Sequence, residues 1–435
     1  MSFENKNTIN VGLIGFGTVG KGVVKYFEEG RGEPFGVALK KVAVNDLSKP
    51  RDAKSSNLTD DASSIIKDPS IDIVVELIGG TGLAREYIFG ALDARKSVVT
   101  ANKAVVSKDM PELFNLARER QVGFGFEASV GGGIPIIRTL LGYRGQTITR
   151  LDAILNGTTN FILSRMESGI DFNSALVIAQ EKGFAEANHI LDTGGFDTQA
   201  KLSILASLIL NTHVKLESIP CRGITEVGPI DTDFAAKFGV EEGERGYAVK
   251  LLASARQHNG TWDLGVSPAL VSKDHPLASV RDEMNAVTIE GDLTGPQTFI
   301  GKGAGTNPTA SAVITNILQL ADDLRQQTQG YLPLLDNHVS FTKPEDIEEI
   351  GYIRVNLLDI PRSMQELGRI LGDHDLSVQH SLQRGRFAQS IEGKTFIPDI
   401  VTLHPARKSM IEKALEQLAK SDRVYGEPFF MQLSQ

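Results

Sequence analysis

Asp197 and Lys201 stand four residues apart in GGFDTQAK, at the head of a segment whose apolar residues (Leu202, Leu205, Ala206, Leu208, Ile209) recur at helical spacing. Residues i and i+4 are neighbours on one helix face, so the carboxylate would sit beside the ammonium group. A lysine held in that way can bind a polar substrate and hand a proton to a developing alkoxide. The competing reading is an exposed ion pair on an amphipathic helix, which contributes only about 0–1 kcal/mol. Glu186, a little upstream in GFAEA, adds another carboxylate between two apolar helical segments. Lys103 follows the apolar run Val98-Val99-Thr100 in the loop Ala101-Asn102-Lys103-Ala104. That puts a second lysine where a strand would deliver it to a ligand, although a loop lysine can equally be solvated.

Chemistry of this kind needs a scaffold, and the N-terminal stretch supplies one. Thr8 to Ile14 reads as a strand, Gly15-Phe16-Gly17-Thr18-Val19-Gly20 as a glycine turn, and Lys21 to Glu28 as a helix. Gly15 permits the turn, Gly17 lets backbone approach a pyrophosphate, and Gly20 lets helix pack on strand. The helix start at Thr18 and Val19 offers N–H groups to anionic phosphates. Strand and helix signals then alternate: Leu39 to Val44, Ile71 to Leu77, Arg85 to Arg95, Ser97 to Thr100, Pro111 to Arg120, Val122 to Phe126. The expectation is an α/β chain with a Rossmann-type doubly wound domain, its ligand at the carboxyl ends of the strands. After the second strand, Asp46 suits the ribose of NAD, whereas Lys49 and Arg51 suit the extra phosphate of NADP; the choice stays open.

Glu127-Ala128-Ser129-Val130-Gly131-Gly132-Gly133-Ile134-Pro135 is a glycine-rich turn whose carbonyls, with the Glu127 carboxylate, could surround a hard cation or serve only as a hinge. Beyond it, Ile148 to Leu155 reads as a strand ending in a polar turn, Asn156 to Asn160, that caps a helix from Phe161 to Met166. Later runs suggest an antiparallel sheet, and Gly301-Lys302-Gly303-Ala304-Gly305 opens a helix from Thr309 to Leu320.

The bulk properties bound the function. A chain of 435 residues with 41% apolar and 23% charged residues makes about two or three globular domains. Its net charge of −9 argues against nucleic acid or an acidic membrane surface as partner. One cysteine, Cys221, cannot build a disulfide framework, and MSFENKNTIN lacks an apolar signal core, so a cytoplasmic enzyme is expected.

VGLIGFGTVG, VVELIGG, VVTANKA, EASVGGGIPII, LNGTTNFIL, GFAEA followed by GGFDTQAKLSILASL, and GKGAG resemble homoserine dehydrogenases in order and spacing, over nearly the whole chain. The resemblance implies interconversion of L-homoserine and L-aspartate 4-semialdehyde with NADP or NAD, on the way to threonine and methionine, by a homodimer or homotetramer. It makes Lys201 the proton donor and gives Lys103 a part in coenzyme binding or proton relay. It assigns Glu186 and Asp197 to the substrate's amino end and Gly183 and Gly303 to the nicotinamide. A structural sodium ion would sit on Glu127 and the carbonyls of Val130, Gly132 and Ile134, which favours the cation reading of that turn. Where the family usually has Asp-Pro, this chain has Asn188-His189, a change expected to alter turn geometry rather than the reaction.

The implied domains are a coenzyme domain at 1–140, an α+β catalytic and dimerisation domain at 141–325 whose chain returns to the coenzyme domain near 301–320, a linker at 326–350, and a βαββαβ unit at 351–435. The last resembles an ACT domain, which in many homoserine dehydrogenases senses L-threonine. Its ligand turn reads Pro361-Arg362 where Pro-Gly is common, so threonine regulation and a purely oligomer-building role both stay open. Two rival functions are an aldehyde-oxidising enzyme using Cys221 as a thiol nucleophile, and a coenzyme-sensing regulator without turnover.

Overall fold

Ile9–Ile14 (β1) is almost wholly apolar and buried on both faces, as a central parallel strand must be. It pairs in parallel with Val37–Ala43 (β2) on one side and Ile73–Glu76 (β4) on the other. Leu58–Thr59 (β3), Ser97–Thr100 (β5) and Phe124–Gly125 (β6) complete a six-stranded sheet in the order β3-β2-β1-β4-β5-β6, every pair parallel. The order reverses between β1 and β4, which opens a crevice at the carboxyl ends of those two strands. This is the doubly wound domain expected from the alternation of signals. The computed structural model describes residues 8–49, 58–240, 243 and 245–434. Arg51 falls outside them.

The chain forms two compact units: Met1–Gly157 with Phe196–Pro220 and Glu283–Val339, and Thr158–Gly195 with Cys221–Asp282 and Ser340–Gln435. In the first, the helix Thr306–Gln326 lies on the parallel sheet and places Val313, Ile317 and Leu320 in one core with Val11, Leu13 and Val75. Gly22, on the helix Thr18–Glu28, permits close approach of the two helices, since a Cβ there would press on Ala310. The same unit holds an antiparallel trio in the order Gly295–Lys302, Met284–Gly291, Ile148–Ile154.

In the second unit the strands run in the order Tyr247–His258, Thr261–Ser272, Val424–Ser434, Gly351–Leu358, Lys394–Leu403, Val378–Gln383. With the helices Ser363–Asp373 and Lys408–Ala419, residues from Gly351 onward have βαββαβ order around a core of Ile353, Leu367, Ile370 and Val401. Arg362 precedes the first of these helices with φ of 76°, a left-handed backbone that accounts for the usual glycine at such a turn.

Two local expectations are corrected. Lys103 is not in a loop: it opens a helix, Lys103–Arg120, whose N-cap Asn102 accepts a hydrogen bond from the Val105 amide at 3.2 Å. Pro111, read from sequence as the helix start, sits inside it, beside a non-helical Asp109. Likewise Gly157 to Asn160 are not a capping turn but the first turn of the helix Gly157–Met166.

Candidate active site

The glycine turn has the three features its spacing implies. Gly15 has φ of 108°, which side chains rarely adopt. A Cβ on Gly20 would collide with the Gly15 carbonyl oxygen, so helix and turn pack through the missing side chain. A Cβ on Gly17 would meet nothing within 4 Å, so what it must leave room for is not this chain. Gly17 is the N-cap of the helix Thr18–Glu28 and supplies no side-chain acceptor to the first-turn N–H groups. Gly15, Phe16, Gly17 and Lys21 line a cleft of about 1150 Å³, which continues past Asn45 and Lys49 at the end of β2 and Ile78 beyond β4. The size and the uncapped helix end fit a dinucleotide. Asp46 turns back on its own loop, accepting from the Ser48 amide at 2.9 Å and the Ser48 hydroxyl at 2.6 Å.

β4 and β5 end in a buried polar network that fixes the start of the Lys103 helix. Glu76 Oε2 accepts from the Thr100 hydroxyl at 2.7 Å, and Oε1 from the amides of Ile78 and Gly79 at 2.7 and 3.0 Å. The Thr100 hydroxyl accepts from the Asn102 amide at 3.0 Å, and the Asn102 side chain donates to the Gly80 carbonyl at 2.8 Å. Lys103 is thereby delivered to Asp197, its Nζ lying 2.7 Å from Oδ1.

Asp197 and Lys201 lie on the helix Phe196–Leu210, as their spacing implies. Lys201 Nζ is 2.7 Å from Asp197 Oδ2 and also donates to the Leu155 carbonyl at 2.6 Å, where the strand Ile148–Ile154 has just ended. Asn156 Nδ2 donates to the same Oδ2 at 2.9 Å. Burial opposes charge on Asp197, but the Lys201 and Lys103 ammonium groups outweigh it and hold its carboxyl well below the usual range. The surface-pair reading fails, because the Asp197 and Lys201 side chains are only 9% and 12% exposed. Both Asp197 oxygens are engaged by this chain's own cations, whereas the resemblance gave that carboxylate to the substrate's amino group. Asn156 was not singled out from sequence; its signal, in hindsight, is an amide at the carboxyl end of a strand.

Glu127 is buried, its oxygens accepting from the Ile137 and Arg138 amides at 2.9 and 2.8 Å. Burial pushes its carboxyl up, while those two amides pull the other way. Gly131 and Gly132 have φ of 73° and 57°, a left-handed backbone that turns the chain tightly. Both Glu127 carboxylate oxygens are thus engaged by backbone amides, and among the described residues there is no cluster of three or more His, Cys, Asp or Glu that could hold a metal ion. The turn also touches the other glycine loop: the Gly133 amide donates to the Lys302 carbonyl at 3.0 Å, and a Cβ on Gly132 would strike Gly303. A Cβ on Gly303 would collide with the Asn285 side-chain amide.

Gly183 and Glu186 belong to the second unit, where Gly183 has φ of 73° and Glu186 is exposed. Cys221, in the same unit, is half-buried, and burial pushes its thiol up to about 11, the opposite of an activated nucleophile. Among the described residues no helix is long and apolar enough to cross a membrane.

Known proteins resemble this chain along nearly its whole length. Residues 15–127 match the family model "Homoserine dehydrogenase, NAD binding domain" and residues 135–318 match "Homoserine dehydrogenase". A homoserine dehydrogenase of Synechocystis sp. is 38% identical, the match covering 96% of this chain and 97% of the relative. The crystal structure of a homoserine dehydrogenase from Thiobacillus denitrificans superposes with a TM-score of 0.88 at 32% identity, over 98% of each chain. A hyperthermophilic archaeal homoserine dehydrogenase in complex with NADPH has a TM-score of 0.60 at 27% identity, over 73% of this chain and 98% of its own.

Proposed function

The chain belongs to the homoserine dehydrogenase family, and on that premise we propose that Lys201 is the acid that protonates the carbonyl oxygen of L-aspartate 4-semialdehyde, giving L-homoserine, and the base in the reverse direction. The nicotinamide of NAD(P) supplies the hydride and takes it back. Lys201 has two of its three N–H donors on Asp197 and Leu155, which fixes the direction of the third. General acid catalysis by a lysine so held contributes roughly 10²- to 10⁴-fold. Asp197 orients Lys201 and joins it to Lys103, whose more exposed ammonium returns the proton from solvent. The family resemblance also gives Glu186 to the substrate's amino group. The observation that carries this reading is the single carboxylate shared by two lysines at the end of a nucleotide-binding fold. Following NAD(P)H absorbance with L-homoserine tests it: turnover by the wild-type chain and its loss in Lys201→Ala, with coenzyme still bound, are the expected results.

Lys49 on the cleft wall, with Asp46 turned to its own loop, favours NADP over NAD. Lys49→Ala should then raise the KM for NADPH and leave that for NADH nearly unchanged. A sodium ion on Glu127 and the carbonyls of Val130, Gly132 and Ile134 would order the glycine turn without redox chemistry; a lower melting temperature in sodium-free buffer, abolished by Glu127→Gln, checks it. The βαββαβ segment from Gly351 we read as an ACT unit, and titration of the assay with L-threonine decides whether it regulates.

A further inference from the structure

We infer that Asn156 is a positioning residue for the proton transfer, acting through Asp197. The inference rests on the assignment of Lys201 as the acid. Asp197 Oδ2 carries two donors, Lys201 Nζ at 2.7 Å and Asn156 Nδ2 at 2.9 Å, while Oδ1 carries Lys103 at 2.7 Å. A carboxylate bound only by two flexible ammonium groups can rotate about its own axis and let each lysine drift with it. The Asn156 amide removes that freedom, because it is planar, 5% exposed and fixed to the backbone just past the strand Ile148–Ile154. Its neighbour Leu155 accepts from the same Lys201 Nζ at 2.6 Å. Two consecutive residues therefore hold the acid from two sides, one by accepting from the ammonium and one by donating to its counter-ion. Neither group touches a reacting atom; they set where the remaining Lys201 N–H points. A displacement of about 1 Å at such a group can slow a reaction by roughly 10².

Three variants read together decide the matter: Asn156→Ala, Asp197→Asn and the double variant, each assayed for NADPH-dependent reduction of L-aspartate 4-semialdehyde and for the primary deuterium isotope effect with deuterated NADPH. Asn156→Ala is expected to lower kcat roughly ten- to a hundredfold, to leave the KM for NADPH within about twofold, and to raise the isotope effect as chemistry becomes limiting. In the double variant the Asn156 change should cost nothing further, because its effect travels through the Asp197 carboxylate. A fall in kcat with an unchanged isotope effect would mean fewer active molecules and would overturn the inference, as would additive losses in the double variant. Asn156→Gln, which keeps the amide on a longer stem, should recover part of kcat; no recovery combined with a lower melting temperature also counts against it. Absence of turnover by the wild-type chain would instead sink the dehydrogenase reading itself.

Discussion

Lys103 opens one helix, Asp197 lies in the first turn of another, and 2.7 Å separates ammonium from carboxylate. The contact converts a local i, i+4 pair into a three-residue array in which one carboxylate serves two lysines. Asp197→Asn keeps the shape and removes the charge that holds both. The expected result is a fall of about ten- to a hundredfold in kcat/KM for homoserine with coenzyme affinity nearly unchanged. Breaking a mostly buried ion pair should also cost about 3 kcal/mol of stability, since Lys103 can still reach water. The sign with pH follows from a carboxyl held below its ordinary value. Its stabilising contribution is complete above the unfolded pKa of about 3.9 and is lost progressively as pH falls from there to the lower folded value. Urea unfolding should therefore give a constant difference between wild type and variant from about pH 5 to 8, shrinking only in strong acid. A difference that grew across neutral pH would point to another group.

The glycine turn separates binding from stability by position. Gly17 has φ of −80° and ψ of −157°, extended backbone that any residue adopts, and open space around it. Gly17→Val should thus keep its melting temperature within a few degrees while NADPH binding, read by fluorescence titration, weakens at least about tenfold. Gly20→Ala should do the reverse: overpacking against Gly15 costs about 1–3 kcal/mol. Equal effects of the two on coenzyme affinity would remove the distinction drawn between them.

What the chain discloses without a structure divides along the range of the forces involved. The alternation of β-rich and helical segments determines the parallel sheet, and Asp197 with Lys201 is a neighbour relation on one helix; both are local. The helix at Lys103 was hidden because proline favours the first helical position, so Pro111 draws the reading to itself. The actual N-cap is Asn102, whose geometry depends on Thr100, Glu76 and Gly80 and hence on strand pairing. For the same reason Asn156 looked like turn chemistry. Its partner is 41 residues along the chain, and no periodicity links them.

Cys221 tests the aldehyde-oxidising rival. With burial pushing its thiol to about 11, the thiolate fraction at pH 8 is lower than that of an ordinary cysteine by roughly 10². Reaction of the native protein with a chromogenic disulfide should be slower by about that factor than after denaturation, and Cys221→Ser should retain near-normal kcat. Rapid labelling with loss of activity would revive the thiol mechanism.

Lys250 gives a stability prediction in the alkaline range. It is fully buried in the strand Tyr247–His258, and its Nζ donates to the Val280 carbonyl at 2.6 Å and to Asn160 Oδ1 at 3.2 Å. Burial lowers its pKa to about 8, Glu167 and Asp282 acting to raise it and Arg281 to lower it further. The folded protein thus releases this proton about two units before the unfolded chain, whose lysine titrates near 10.4. Below pH 8 both states are protonated and the desolvation penalty is present in full. As pH rises through 8 toward 10, the unfolded state binds more protons and stability increases. Relative to Lys250→Met, the wild type should therefore gain up to about 3 kcal/mol across that window. The measurement is urea unfolding of both proteins at half-unit steps of pH, comparing differences so that other titrating groups cancel. A flat difference would mean that the lysine keeps its proton in the fold, with Glu167 and Asp282 compensating its burial.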